Sequence, residues 1–189
     1  MQLGFQRLAY NIRYRRERYR QFLGIALIIL LAAIGIPVSL PLFLVGALLI
    51  IVGESIRMWA SGHIKKDKEL ATNGPYNYVR HPLYVGNITL LIGFALACGL
   101  WWALPVAVVF LLLFYPPAIR REDGKLQRLF PTQWTPWAAR TRALIPSTEP
   151  YQRNDWGNWS FTQSLRQNGE PIIAVFLAIC LLLLFRRRR

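Results

Sequence analysis

Three stretches of this chain carry no charged side chain: residues 22–53, 83–119 and 171–185. Each of the first two is long enough to cross a hydrocarbon core of about 30 Å twice, as a pair of tightly connected helices. Breaks near their midpoints agree. Pro37-Val38-Ser39-Leu40-Pro41 interrupts the first run, and Gly99, Trp101, Trp102 and Pro105 mark a turn in the second. The expected spans are about 22–36, 41–60, 83–98 and 103–118. The fold class is therefore all-α, a polytopic membrane bundle of two helical hairpins.

Charge placement gives these hairpins a direction. Of 189 residues, 23 are Lys or Arg against 9 Asp or Glu, a formal charge of +14. The cations flank the apolar runs and form no recognisable nucleic-acid-binding motif, so no nucleic-acid partner is expected and they read as topology signals and headgroup contacts. Basic residues precede span one, fill the 57–80 connection and recur from Arg120 to Arg142, while both hairpin turns lack them. The positive-inside rule puts these three regions on the cytoplasmic side.

Three parts follow. Residues 1–21 place Phe5, Leu8, Ile12 and Tyr19 at helical spacing among arginines, the pattern of an interfacial amphipathic helix. Residues 22–146 form the membrane domain, with a cytoplasmic segment at 119–146. Residues 147–189 join a polar connector, in which Trp156, Trp159 and Phe161 suggest interface contact, to an apolar helix ending in four arginines. That helix, at 15 apolar residues, is short for a span. Crossing would put its arginines outside, against the charge rule; the alternative is tilting into one leaflet or docking on the bundle.

Cys98 and Cys180 lie inside apolar runs as small hydrophobes, so no disulfide framework is expected. With only His63 and His81 as imidazoles, no metal site is expected either.

Polar residues close to the spans carry the chemistry, because charge near a membrane is costly unless paired or used. Glu54 and Arg57 can pair on one helical face, either closing the helix or lining a pocket. Asn73-Gly74-Pro75-Tyr76 is a turn signature. In Arg80-His81-Pro82-Leu83-Tyr84, Pro82 suits the first helical position and His81 falls at the cap, where exposed N–H groups favour an anionic ligand group. A lone histidine there serves more often as a cap than as a catalyst. After span four, Glu122 shares a face with Leu126, Leu129 and Phe130, so an inward-packing face carries a carboxylate that needs a cation. Arg80 can be that partner, or a bound cationic ligand can.

Taken in order, Gly74-Pro75-Tyr76, Arg80-His81-Pro82-x-Tyr84-x-Gly86, a hydrophobic hairpin, Glu122-Asp123, Leu126, Phe130, aromatic residues at 134 and 137, and Pro146 resemble the isoprenylcysteine carboxyl methyltransferase and phospholipid methyltransferase superfamily over about residues 53–146. The resemblance implies S-adenosylmethionine as cofactor, held on the cytoplasmic side, and a membrane lipid or lipidated acceptor entering from the bilayer. By position it implies Arg80, His81 and Glu122 as catalytic candidates, and Tyr76, Arg80, His81, Pro82, Tyr84, Glu122 and Asp123 at the cofactor. Departures are Asp123 where a second Glu is usual, Pro131 at a usual Gly, and Trp134 and Trp137 where Tyr is common. Two other classes stay open: an NADPH-dependent sterol reductase, which shares a similar Arg-His-Pro-x-Tyr segment but typically carries Asn where this chain has Leu83, and a non-catalytic membrane scaffold.

Overall fold

The computed structural model describes residues 19–65, 68–153 and 157–188. Nearly all of the expected interfacial helix, and Trp156, lie outside these residues. Helix α1 (Tyr19–Ile34) and helix α2 (Leu40–Ser61) form the first hairpin. Pro37 sits in its turn, and Pro41 occupies the first turn of α2, where a missing N–H leaves no bond unmade. The second hairpin is α3 (Pro82–Ala97) and α4 (Ala103–Leu129), joined through Gly99 at φ 72°.

The helix of span four runs on past the apolar run: α4 continues through Pro116 and Pro117 to Leu129, because the residues after the expected span end near 118 keep a helical repeat and place Leu126 and Phe130 against a second core. Leu129, expected on that inward face, is exposed. Short helices α5 (Pro131–Arg140) and α6 (Phe161–Asn168) follow, then α7 (Glu170–Arg186).

The hairpins meet chiefly through α2 and α3. Their contact is glycine on glycine: a Cβ added at Gly46 would lie 2.6 Å from the Gly93 carbonyl oxygen, and one at Gly53 would lie 2.7 Å from that of Gly86. Both pairs repeat at seven residues, so one face of each helix stays bare and the backbones touch, the usual way helices gain packing where no hydrophobic difference drives them together. Leu31, Phe43, Ile50, Leu90, Leu91 and Phe94 complete the main core.

Helix α7, short for a span by its apolar length, packs along the bundle from end to end. It docks on the bundle, with Leu177, Cys180 and Leu184 in the core. Its first residue, Glu170, meets Arg57 near the end of α2, and its last turn brings Phe185 to within 5.8 Å of Phe43 at the start of α2. It therefore runs the length of the bundle, and Arg186–Arg188 come to the end that holds the hairpin turns. Connector residues ahead of it are also bound: Trp159 Nε1 donates to the Met58 carbonyl at 3.0 Å, and the Ser61 and Ser164 hydroxyls lie 2.6 Å apart.

Helices α2 and α4 are long and apolar enough to cross a membrane, with α1 and α3 as shorter apolar companions. Their outer faces show Leu48, Val109, Leu112 and Leu113. An apolar belt of this kind is the surface of a membrane-associated helical bundle.

A polar cluster at the start of α3

The candidate site is built on residues 78–81, which run beside 142–147 with Val79 bridged to Arg142. Arg80 N–H donates to the Arg142 carbonyl at 2.9 Å, His81 N–H to Ala143 at 3.1 Å, and Tyr151 N–H to Asn77 at 2.9 Å. Just before it, Gly74–Asn77 forms one 3-10 turn whose Gly74, at φ 55°, lies so close to the His63 ring that a Cβ would meet it at 2.6 Å. Pro82 then starts α3, and His81 sits at the cap with extended-to-bridging dihedrals.

The cap is made by the His81 backbone, not its ring. The His81 carbonyl accepts from Tyr84 N–H at 2.9 Å and Val85 N–H at 3.1 Å, while the imidazole makes no cap bond and turns to Asp123. Nε2 of His81 lies 3.0 Å from Asp123 Oδ1, and Arg80 Nη2 lies 3.4 Å from Oδ2. Arg80 Nη1 donates to the Ala138 and Thr141 carbonyls, each at 2.9 Å, closing the C-terminus of α5. One carboxylate thus orients both the arginine and the histidine.

That carboxylate is Asp123, whereas the sequence offered Arg80 as one of two alternative partners for Glu122, the other being a bound cationic ligand. Glu122, one residue earlier, points about 100° away round the α4 axis, and its charge acts on Tyr76. Burial, and next the Glu122 charge, push the Tyr76 phenol well above its usual range, so it stays a neutral donor. Trp137 is fully buried and its Nε1 donates to the Tyr76 carbonyl at 3.0 Å, which pins α5 against the 3-10 turn. Trp134 packs in the same second core.

An aromatic wall completes the cluster. Tyr84 stacks on His81 at 5.3 Å between centroids, and Tyr115 of α4 meets Tyr84 edge-on at 5.5 Å. The Arg20 guanidinium, from the start of α1, lies 4.9 Å over Tyr84 and 5.5 Å over Tyr115, with Nε and Nη1 buried and unbonded. The Nε of Arg80 is also buried without a partner. Sequence reasoning missed Arg20 and Tyr115. Tyr115 had a readable signal, since it stands seven and eight residues before Glu122 and Asp123 on one helical face; Arg20 was one arginine in a run of them.

The Glu54–Arg57 pair exists at 3.5 Å, but the guanidinium is mainly engaged by Glu170, at 2.7 Å to Oε2 and 2.9 Å to Oε1 from Nη2, and it also donates to Asn87 of α3. A buried ion pair therefore ties α7 to α2.

Fold and site together define a membrane helical bundle with a basic, aromatic and acidic cluster at one end. The model of the phospholipid methyltransferase family matches residues 19–133, more than half of the chain, and the chain belongs to that family. It is 38% identical over 112 residues to the nickel-cobalt-cadmium resistance protein NccN of Alcaligenes xylosoxydans xylosoxydans, covering 58% of this chain and 52% of that protein. It is 35% identical over 118 residues to the cobalt-zinc-cadmium resistance protein CzcN of Cupriavidus metallidurans, covering 61% and 53%. The chain thus spans about half the length of these relatives. No solved structure matches it.

Proposed function

We propose that the chain transfers a methyl group from S-adenosylmethionine to an acceptor presented by the membrane, with the chemistry at the Arg80–His81–Tyr84–Glu122 cluster on the cytoplasmic side. The observation that carries this reading is the pairing of unlike groups in one place. Buried, unbonded guanidinium edges of Arg20 and Arg80 stand in one cluster with the faces of Tyr84 and Tyr115 and the Asp123 carboxylate. S-adenosylmethionine needs that combination, because it carries a sulfonium, an ammonium and a carboxylate.

The residues present fit the cofactor. Guanidinium N–H groups that lack acceptors in a buried site favour a carboxylate. The faces of Tyr84 and Tyr115 favour a cation by cation–π attraction, and Glu122 can add a negative charge. The bound cofactor would supply an electrophilic methyl group. The site's own contribution is to hold donor and acceptor in line and keep water out.

His81 has a defined part if the acceptor is an amine. With Nε2–H given to Asp123, the imidazole lone pair resides on Nδ1, which can take the acceptor's proton. A carboxylate acceptor would need no base. The names of the relatives bring metal resistance to this proposal as a setting, and the family brings the chemistry.

Calorimetric titration of the detergent-purified protein with S-adenosylhomocysteine, with NADPH in parallel, tests the reading. Saturable binding of the first alone is the expected result. Binding of NADPH alone would replace it with a reductase, and binding of neither by folded protein would leave a scaffold.

A further inference from the structure

Helix α7 creates a feature that the candidate site does not use. Between α2 and α7 runs a cavity of about 860 Å³, with Phe43 and Phe185 at the hairpin-turn end and Trp59 and Trp159 at the other. Phe43 and Trp59 are about 24 Å apart along the axis of α2, so the cavity has the reach of a long alkyl chain laid along the bundle. Its sides are apolar, with Ile50, Leu177 and Leu181 among them.

Glu54 is the charged residue in this lining, and it lies near the tryptophan end. Both of its carboxylate oxygens are buried without a hydrogen bond. Arg57 approaches to 3.5 Å but gives its guanidinium to Glu170 and Asn87. Two carboxyl groups therefore share one guanidinium beside an apolar cavity. A carboxylate so placed is costly until a cation reaches it.

We propose that the cavity between α2 and α7 binds a long-chain amphiphile with a cationic head group, its chain along the apolar walls and its head on Glu54. The indoles of Trp59 and Trp159 suit the boundary between head and chain, being apolar in body and polar at one edge, and their faces attract cations. The site goes beyond the methyl-transfer reading. It uses α7, which lies outside the family-matched residues 19–133, and its occupancy requires no cofactor.

The test uses the full chain in phosphatidylcholine nanodiscs, titrated with a bromine-labelled long-chain amine and with the alcohol and carboxylate of equal length. The part of the tryptophan quenching that a Trp59→Phe, Trp159→Phe variant lacks reads occupancy beside those two residues. The amine should half-saturate at a concentration about tenfold below the alcohol, with the carboxylate weakest. Glu54→Gln should bring the amine to the level of the alcohol, and Ala178→Phe, which puts a ring across the cavity, should weaken quenching by all three. Equal binding of the three probes to the unaltered chain overturns the proposal whatever the variants do. An amine preference that survives in a folded Glu54→Gln protein, or quenching unchanged by Ala178→Phe, overturns it as well.

Discussion

Asp123 shows how one side chain can set a site. It accepts from His81 Nε2 and faces the Arg80 guanidinium, so it fixes the tautomer of one and the aim of the other. Asp123→Asn keeps shape but loses charge and acceptor symmetry. Turnover of an amine acceptor is expected to fall by about a hundredfold, the scale of a displaced acid–base group, while a carboxylate acceptor loses much less; comparing the two acceptors in one kinetic assay checks it. Arg20 gives a different prediction. Its buried, unbonded N–H groups cost nothing to the folded protein if a ligand carboxylate completes them, so Arg20→Gln should weaken S-adenosylhomocysteine binding by about tenfold or more with little change in melting temperature. Calorimetry and a thermal scan on the same preparation separate the two effects. Loss of melting temperature without loss of affinity would make Arg20 a structural residue.

Among the elements, α7 and the α2–α3 seam carry the testable consequences. Arg57 and Glu170 are both largely buried, so removing the acid alone strands a guanidinium inside the bundle. Glu170→Ala should cost about 3 kcal/mol, and the double variant Arg57→Met with Glu170→Met should recover much of that loss. Chemical denaturation in mixed micelles would measure both. At the seam, Gly93→Ala pushes a methyl group into the Gly46 carbonyl, a backbone atom with no rotamer to escape into. A loss of about 1–3 kcal/mol is expected. Gly124→Ala has open space around it and should be neutral or slightly stabilising, since α4 is helical there. Equal effects at both positions would contradict the close contact of α2 and α3.

For the whole molecule, the course of α7 decides where the chain ends relative to the candidate site. Asp123 and the basic segments lie at one end of the bundle, and Arg186–Arg188 lie at the other. With Cys98 and Cys180 buried, single cysteines introduced at Arg128 and Arg188 should label from opposite faces of oriented vesicles. Labelling of both from one face would mean that the bundle does not stand across the bilayer. Much of this was legible beforehand: charge-free runs, each broken once, leave helical hairpins as the economical reading, and Arg80, His81, Tyr84 and Asp123 stood within short motifs beside span ends. Apolar periodicity and proline placement are local, and local rules suffice for them. The choice of Asp123 over Glu122 as partner, the glycine seam, Arg20 above Tyr84, and Glu170 against Arg57 across 113 residues of sequence were not legible. Each depends on which helix faces meet, and that is fixed only when backbones approach, shielded charges find partners and apolar sides are covered together. The sequence by itself determined a membrane helical bundle and the residue types of its chemistry; the tertiary structure alone decided which of those residues meet, and where α7 lies.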